Sequence, residues 1–167
     1  MSRAVCRGFA PIADKRSKVV VLGTMPGPEA LRRKQYYGFP GNQFWGIISE
    51  VLGEAKPESY RERVRMLRRH RVALWDTLKA CVRPGALDSA IRDPRPTDVP
   101  GLVKRFPGIR RVFLNGGGAE AYYKRFFASK VSLPVRRLPS TSPAYASSSR
   151  RQKLGRWRAV AEALKDR

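Results

Sequence analysis

The sequence predicts a three-layer α/β/α domain built around a central, mostly parallel sheet of four strands. Short β-branched runs alternate with segments of helical periodicity, which is the pattern of consecutive βα units. Loops rich in Gly, Pro or Ser follow several of these runs, and in a parallel sheet such loops gather at one edge. The chain has 167 residues and is 42% hydrophobic, which is enough to build one compact core.

The first elements follow a basic N-terminal segment. Residues 1–17 show no clear periodicity, so we expect them to be irregular and to precede a single domain over residues 18–167. The run KVVVLG at 18–23 predicts a buried strand that ends at its Gly. Residues 24–41 contain several Pro and Gly and predict a loop, after which Asn42 can cap a helix. Apolar residues then recur at helical spacing up to a Gly, which predicts that helix and its end.

The middle of the chain predicts two more helices and one strand. Pro57 can open a helix with one apolar face. The run VALWDTL at 72–78 predicts a second strand. Residues 83–101 are interrupted by Pro and Gly and predict mainly loop, whereas the apolar residues of 102–106 predict a short helix.

The last third of the chain predicts two strands and two helices. RRVFLN at 110–115 predicts a third strand, which a run of three glycines ends. Aromatic residues over 122–127 predict a helix. PVRRLPS at 134–140 predicts the fourth strand, and apolar residues spaced along 154–164 predict a C-terminal helix.

Charge is the strongest signal in the composition. The chain carries 35 Lys and Arg residues against 13 Asp and Glu residues, for a net charge of +22. A compact domain this basic repels itself and gains free energy by binding a polyanion, because neutralised phosphates release counterions. We therefore expect a nucleic-acid partner, although charge alone does not separate an enzyme from a packaging or ribosomal protein.

Several classes of protein are disfavoured. No long uncharged apolar run predicts a membrane span, and the N-terminus has no apolar stretch of signal-peptide length. Cys6 and Cys81 give no disulfide framework or thiolate cluster, and with a single histidine we expect no metal and no cofactor. We expect a cytoplasmic monomer without membrane contact.

Five short motifs stand in order along the chain, most of them at predicted strand ends. They are GTMPG at 23–27, YYGFPGNQFW at 36–45, LWDTL at 74–78, FLNGG at 113–117 and LPSTSPAYA at 138–146. Together they resemble the motifs of the uracil-DNA glycosylase superfamily, and within it those of the hypoxanthine-DNA (DNA-deoxyinosine) glycosylase branch. The resemblance extends over nearly the whole chain. It implies an enzyme of base excision repair that flips a deaminated base out of DNA and hydrolyses its bond to the sugar.

The motifs depart from the family's patterns at three places. Met25 stands where the mismatch-specific branch has an Asn that positions water. Phe39 and Gly41 stand where the hypoxanthine branch has His and Arg, while Asn42 is retained. The last motif lacks the catalytic His of the uracil-specific branch. On this resemblance we expect Asn42 to position the attacking water, beside its alternative role as a helix N-cap.

The residues that bind the base are expected in the first, second and fourth motifs. Of the two adjacent tyrosines, Tyr37 is expected to stack on the extruded base and the other to pack in the core, with Phe39 lining the same pocket. The amide of Asn115 can read the Watson–Crick edge of uracil or hypoxanthine, or else begin a turn. Gly23 permits close approach of the backbone, and Thr24 can bond the base or a phosphate.

The last motif and the start of the C-terminal helix are expected to contact DNA. Ser140 and Ser142 offer hydroxyl and backbone N–H groups to the charge that develops on the leaving base, so they join Asn42 as candidate catalytic residues. An exposed Ser/Thr turn and a solvated helix face are the alternative interpretations. The expected set of DNA-contacting residues is Ser140, Thr141, Ser142, Pro143, Ala144, Tyr145, Arg150, Arg151 and Lys153.

Acidic residues are not expected to act in the chemistry. The departing base is already a tolerable anion, so the paired carboxylates of many sugar hydrolases are not required. Asp76 can accept hydrogen bonds from a loop backbone or shape the floor of the pocket, and we expect a structural role for it. Asp88 can play a similar part.

The sequence therefore predicts a monofunctional DNA glycosylase that excises hypoxanthine, uracil or both with water as the nucleophile. No lysine stands in a Schiff-base motif, so strand cleavage is not expected. Two alternatives stay open at this point. One is a mismatch-specific glycosylase that prefers uracil opposite guanine, and the other is a non-catalytic DNA-binding protein that has kept the fold.

Overall fold

A computed structural model describes residues 4–166 of the chain, and its strands and helices largely alternate. No helix within these residues is both long and apolar enough to cross a membrane. The elements are β1 Val5–Arg7, β2 Val19–Gly23, α1 Pro28–Arg33, α2 Phe44–Val51, α3 Tyr60–Arg69, β3 Val72–Asp76, β4 Leu78–Val82, a 3-10 turn Asp88–Ala90, β5 Arg92–Pro96, α4 Val99–Arg105, β6 Arg111–Asn115, α5 Gly117–Phe126, β7 Val135–Leu138 and α6 Arg150–Lys165.

The predicted four-stranded sheet and its three-layer packing are confirmed. Its strand order is β3-β2-β6-β7, and every neighbouring pair is parallel. Every residue of β2 is buried, as its continuous apolar run predicts for a strand that is covered on both faces. One face packs with side chains of α2, α3 and α6, and the other packs with side chains of α4 and α5.

A second sheet was not predicted. It is antiparallel, with strand order β1-β4-β5. The expectation that residues 1–17 are irregular is wrong for Val5–Arg7, because these residues pair with β4, and Ile12 exchanges two 2.8 Å backbone hydrogen bonds with Leu74. Residues 1–3 lie outside the described part of the chain. Pro94 and Pro96 are tolerated in β5 because it is an edge strand, where a missing N–H group costs little.

One helix was not predicted, and another begins later than expected. The expected loop 24–41 contains the short α1, which starts with Pro28 in its first turn. The third helix begins at Tyr60 and not near Pro57, because the Ser59 hydroxyl accepts a hydrogen bond from the Glu62 backbone N–H at 3.2 Å and caps it.

The parallel strands β2, β3 and β6 end at the same edge of the central sheet. Their last residues are Gly23, Asp76 and Asn115, so three of the five motifs meet at this edge. The loop after β7 carries the last motif to the same place, since the Leu138 carbonyl accepts from the Gly116 N–H at 3.0 Å.

Candidate active site

A cavity of about 670 Å³ opens at this carboxyl edge of the sheet. Small-molecule sites commonly measure about 300–1,000 Å³, so the cavity has room for a nucleobase. Residues from all five motifs line it, and Asp76 and Asn115 do so from the ends of their strands. The motifs therefore converge on one place, as the resemblance implied.

Gly23 lets two side chains approach its backbone closely, while its predicted contact with the base stays a prediction. A Cβ atom built there would lie 2.5 Å from Asp76 Oδ1 and 2.7 Å from the Tyr37 hydroxyl. Contacts this short are not tolerated, so any larger residue would displace both side chains. Gly23 thus allows a carboxyl group and a phenol to meet on the cavity floor.

Asn115 forms a closed hydrogen-bond network on one side of the cavity. Its Nδ2 donates to the Tyr37 hydroxyl and to Thr141 Oγ1, each at 3.0 Å, and its Oδ1 accepts from the Thr141 backbone N–H at 3.0 Å. Both amide hydrogens are therefore used within the protein. These bonds give Asn115 the role of holding two loops together, while reading of a base through the second lone pair of its Oδ1 stays a prediction.

The conformation of Tyr37 is fixed by this network. Its φ of 53° lies in the left-handed region that few non-glycine residues adopt. Its ring stacks on Phe44 with centroids 4.1 Å apart, and burial raises the pKa of its hydroxyl, which stays neutral. Tyr36 instead packs in the core and donates its hydroxyl to the Ala10 carbonyl at 2.6 Å, as expected for one of the two tyrosines.

The other side of the cavity holds polar groups without partners. Asp76 is 5% exposed, and its Oδ2 has no hydrogen-bond partner among the described residues. Burial raises the pKa of Asp76 to about 7; the nearby Asp88 carboxylate adds to this and the Arg83 guanidinium opposes it. The sequence assigned Asp76 only a structural role, so its availability was missed.

Arg83 lies beside these carboxylates and is 6% exposed. Its Nη2 donates to the Pro26 carbonyl at 2.7 Å, while Nε and Nη1 are buried and have no partner within residues 4–166. Burial raises the pKa of Asp88. The hydrogen bond from the Thr24 hydroxyl and the charge of Arg83 act in the opposite direction and lower this pKa, but burial has the larger effect. Nothing in the sequence singled out Arg83, because arginine is abundant in this chain and is usually exposed.

Asn42 lies half-buried at the rim of the cavity. Its Oδ1 accepts from the Phe44 backbone N–H at 3.0 Å, so it helps to start α2, although Gln43 is the N-cap residue. The Gln43 N–H donates to the Thr141 carbonyl at 3.0 Å, which ties this rim to the last motif. Met25 is buried and lines the cavity with an apolar side chain that cannot orient water.

The last motif forms a tight turn at the cavity mouth. The Ser140 hydroxyl accepts from the Ser142 N–H at 3.1 Å, and the Ser142 hydroxyl accepts from the Ala144 N–H at 3.2 Å. Pro143 and Ala144 are exposed, which suits contact with DNA. Thr141 is completely buried, so the expectation that it contacts DNA directly is wrong.

Lys153 is also placed differently from the prediction. It is 2% exposed, and its ammonium group donates to Gln43 Oε1 at 3.2 Å and to the Ser142 carbonyl at 3.4 Å. The Tyr145 ring lies 5.5 Å away, and burial lowers the pKa of the amine. The predicted phosphate contact is wrong because this charge is enclosed behind the last motif. Phosphate contacts at Arg150 and Arg151 remain a prediction, since both are exposed and Arg150 is paired with Glu50 at 3.1 Å.

The start of α5 contributes partial positive charge to the cavity. Gly116 has a φ of 93° and turns the chain into the helix, and the backbone of Gly117 and Gly118 lines the cavity. The first N–H groups of a helix have no partners within it, and the helix dipole favours negative charge there. The cavity thus combines a buried carboxyl group, a buried guanidinium, a helix N-terminus and an amide at its rim.

Two exposed apolar side chains stand at the rim. Phe39 is 48% exposed and Leu87 is 61% exposed, and both line the mouth of the cavity. Exposed apolar groups beside a pocket are typical of a surface that meets a partner.

Comparison with known proteins agrees with this geometry. A sequence model of the uracil DNA glycosylase superfamily matches residues 10–165. The chain is 34% identical over 155 residues to a hypoxanthine DNA glycosylase of Methanosarcina acetivorans, with 92% of this chain and 96% of the relative covered. A hypoxanthine DNA glycosylase of Methanosarcina barkeri is 33% identical over 160 residues, covering 95% of this chain and 98% of its own. The solution NMR structure of a proposed uracil DNA glycosylase from Methanosarcina acetivorans superposes with a TM-score of 0.85 at 32% identity, covering 98% of this chain and all of the other.

Proposed function

The chain belongs to the uracil DNA glycosylase superfamily and is a DNA N-glycosylase for deaminated bases, and we propose that hypoxanthine is its principal base and uracil a second one. Two relatives that match nearly the whole chain are named hypoxanthine DNA glycosylases. The observation that carries the proposal within this chain is the partnerless carboxyl group of Asp76 in the cavity.

Deamination changes the hydrogen-bonding edge of a base in a way that a carboxyl group can detect. It replaces an amino donor by a carbonyl acceptor, and the adjacent ring nitrogen gains a hydrogen and becomes a donor. A carboxyl oxygen accepts from that ring N–H in hypoxanthine and in uracil. Adenine and cytosine offer no such N–H, so they would leave the ionised Asp76 unpaired. We assign recognition of this N–H to Asp76, because its Oδ2 has no partner among the described residues, whereas Asn115 Oδ1 already accepts from the Thr141 N–H.

The departing base leaves as an anion, and the cavity holds positive charge where that anion forms. The N-terminus of α5 and the guanidinium of Arg83 both line it. Preorganised groups of this kind stabilise developing charge without having to reorganise. The hydroxyl of Ser140 stands at the same place and adds a further donor. A catalytic histidine is not required in this arrangement.

Asn42 is proposed to position the water that attacks the sugar. Its Oδ1 is held by the Phe44 N–H, so the amide plane is fixed at the cavity rim. A carbonyl oxygen has a second lone pair, and the amide nitrogen has two hydrogens, so the group can still orient a water molecule. With water as the nucleophile, the products are a free base and an abasic site.

A panel of duplex oligonucleotides tests this function. Each duplex carries hypoxanthine, uracil or xanthine opposite each normal base, and alkali reveals abasic sites after single-turnover incubation. We expect hypoxanthine to be removed fastest and uracil more slowly, whichever base stands opposite. Cleavage confined to uracil opposite guanine would replace the proposal by the mismatch-specific alternative. If no duplex gave any product, the proposal would be wrong and the non-catalytic alternative would be supported.

Two variants test the role of Asp76 in the same assay. The near-isosteric Asp76→Leu removes the acceptor and should lower excision of hypoxanthine and uracil by roughly 10- to 100-fold, as expected when a buried donor loses its partner. Asp98→Asn is the matched control, because this exposed residue caps α4 away from the cavity and asparagine caps as well. Equal rates for Asp76→Leu and Asp98→Asn would remove Asp76 from base reading.

A further inference from the structure

The cavity leaves most of the positive charge of the chain unexplained. Among the residues that line it, Arg83 is the one cation, whereas Glu29, Asp76 and Asp88 are acidic. The net charge of +22 therefore lies elsewhere on the described surface and on the terminal residues. Several basic residues lie close together at the opposite edge of the central sheet.

This basic surface crosses the amino-terminal ends of three parallel strands. Lys18 precedes β2, Arg71 precedes β3, Arg110 precedes β6 and Arg111 begins β6. The Lys18 N–H donates to the Arg71 carbonyl and the Arg110 N–H donates to the Lys18 carbonyl, each at 2.8 Å, so these residues lie side by side at strand spacing. With two neighbours on the preceding turn they form what we call the amino-end patch: Lys15, Arg16, Lys18, Arg71, Arg110 and Arg111.

The turn that carries Lys15 and Arg16 is held in place by its own hydrogen bonds. The Asp14 N–H donates to the Ser17 hydroxyl at 3.0 Å, and the Arg16 N–H donates to Asp14 Oδ1 at 2.8 Å. A Cβ atom built on Gly108 would lie 2.9 Å from the Ser17 carbonyl oxygen, so this turn is in close contact with the turn before β6. The two exposed cations are therefore displayed on a fixed backbone, beside those of β6.

Arg71 occupies a backbone conformation that suits glycine. Its φ is 64°, and it is exposed at the turn between α3 and β3. Glycine adopts this conformation without steric cost, whereas a side chain is strained there. A strained, exposed arginine in a row of other cations indicates that the charge itself is useful at this position.

Few acidic groups neutralise the amino-end patch. The Asp14 carboxylate accepts from the backbone of its own turn, and Asp166 is shared by Arg110 and Arg111, which donate to its carbonyl at 2.8 Å and to its carboxylate at 3.1 Å. Six cations thus face two carboxylates. Strands rise about 3.3 Å per residue, so the five residues of β2 separate the patch from the cavity by about 16 Å, and the two face opposite directions.

We propose that the amino-end patch is a second binding surface for duplex DNA, which holds an undamaged segment while the cavity edge of the protein engages another. A row of fixed cations matches the phosphates of a duplex and reads no sequence. A duplex seated at the cavity would have to bend sharply to reach the opposite edge, which its stiffness opposes, so the patch binds a separate segment. The consequence is direct transfer of the protein between DNA segments without free diffusion. The identity of the polyanion rests on the proposed function, whereas the site lies outside its machinery.

Two charge-matched triple variants test this surface. Arg16→Gln/Arg71→Gly/Arg110→Gln removes three charges from the patch, and its glycine suits the backbone at that position. The control Lys56→Gln/Arg61→Gln/Arg65→Gln removes three charges from exposed positions before and on α3. A further variant, Lys15→Glu, changes one exposed turn residue and tests the patch without altering any contact in the core.

The decisive measurement is dissociation from a labelled undamaged duplex while unlabelled competitor duplex is raised. For the wild type and the control we expect two duplexes bound at low salt and dissociation that accelerates with competitor. The patch triple variant and Lys15→Glu should bind less of the second duplex, show weaker acceleration, and lose about one unit of salt slope for each phosphate contact removed. Single-turnover excision from a short duplex should be equal in all four proteins, which separates this proposal from the proposed function.

Three results would overturn the proposal. The patch variants could match the control in stoichiometry and transfer, which would make the charge a solvated surface. All variants could lose binding equally, which would make it a general effect of net charge. Vesicles of phosphatidylglycerol could bind the wild type but not the patch variants while transfer between duplexes is unchanged, which would assign the patch to an anionic membrane surface.

Discussion

The two sides of the cavity differ in how their polar atoms are used. On one side, which we call the tied wall, Asn115 donates both of its amide hydrogens, one to the Tyr37 hydroxyl and one to Thr141 Oγ1. On the other, which we call the open wall, Asp76 and Arg83 hold three of the four buried side-chain nitrogen and oxygen atoms that have no partner within residues 4–166. The fourth is the Tyr123 hydroxyl on α5, which does not line this cavity.

The difference separates side chains whose hydrogen bonds hold the cavity together from side chains whose polar atoms are free to bind a substrate. A buried polar atom without a partner costs roughly 1–3 kcal/mol, so a fold that leaves several in one place does so for a ligand that supplies the missing bonds. Substitutions that break the Asn115 network of the tied wall should therefore lower stability. Substitutions on the open wall should lower activity while stability is kept or improved.

The largest expected effect is on Asn42, where the tied wall reaches the cavity rim. Asn42→Ala should lower the single-turnover rate of excision about 1,000-fold, at the upper end of the range for losing one preorganised hydrogen-bonding group. The stability loss should be only about 1 kcal/mol, because one contact at a helix start is removed. Asn42→Asp restores that contact and serves as the control for the fold. Normal excision by Asn42→Ala would show that the side chain only starts α2.

The next prediction concerns Asn115 and compares the loss of stability on its replacement with that at Asn42, the other of the two asparagines in the chain. Asn115→Ala removes three hydrogen bonds and leaves the buried N–H of Thr141 unpaired, so urea unfolding should show a loss of about 3 kcal/mol. The same change at Asn42 should cost about a third as much. Equal losses at the two positions would contradict the division between a network that builds the cavity and a group at its rim.

These asparagines also show how far the sequence could lead. The motifs located the cavity correctly, because each follows a strand of a parallel sheet and such ends must meet. The amino-acid type did not reveal the role of each residue within the cavity. An amide can bind a base or can hold two loops together, and only its hydrogen-bond partners distinguish these roles. Asp76 was judged structural for the same reason, as nothing along the chain reveals that its Oδ2 lacks a partner.

The second sheet was missed for a different reason. The sequence RDPRP of β5 is polar and contains two prolines, which local propensity assigns to a loop. Pairing with β4 decides its conformation, and that contact is made between residues distant in the sequence. The same holds for Val5–Arg7, whose strand exists only because β4 lies beside it.

The open wall predicts a pH dependence of stability. The pKa of Asp76 is about 7 in the folded chain and near 4 when unfolded, so the folded state holds an extra proton between these values. The stability contributed by this group is complete below about pH 4 and is lost as the pH rises to about 7, by an amount on the order of a few kcal/mol. Asp76→Asn should remove the part of that decline due to Asp76, leaving the part that the raised pKa of Asp88 contributes, and should be more stable than the wild type at neutral pH.

Unfolding free energies measured between pH 4 and pH 8 check this prediction. Asp98→Asn is again the control, since its carboxylate is exposed at the start of α4, away from the cavity, and asparagine also caps a helix. The free energies of unfolding of the wild type and of Asp76→Asn could instead change with pH in parallel. That result would show that the carboxyl group has a hydrogen-bond partner in the free protein, so that the polar atoms of the open wall are paired like those of the tied wall.

The smallest expected effect concerns Lys153, which extends the tied wall behind the last motif. Its ammonium group joins Gln43 to the Ser142 carbonyl, so Lys153→Met should loosen the loop and lower kcat about tenfold, the equivalent of one lost charge-assisted hydrogen bond. The KM for DNA and the salt dependence of binding should stay unchanged, because a buried charge releases no counterions from phosphate. Arg151→Met, on the exposed face of the same helix, should do the reverse and weaken binding with little change in kcat. If Lys153→Met instead raised KM and reduced the salt slope as Arg151→Met does, the amine would leave its enclosure to meet DNA, and the tied wall would include a phosphate-binding group.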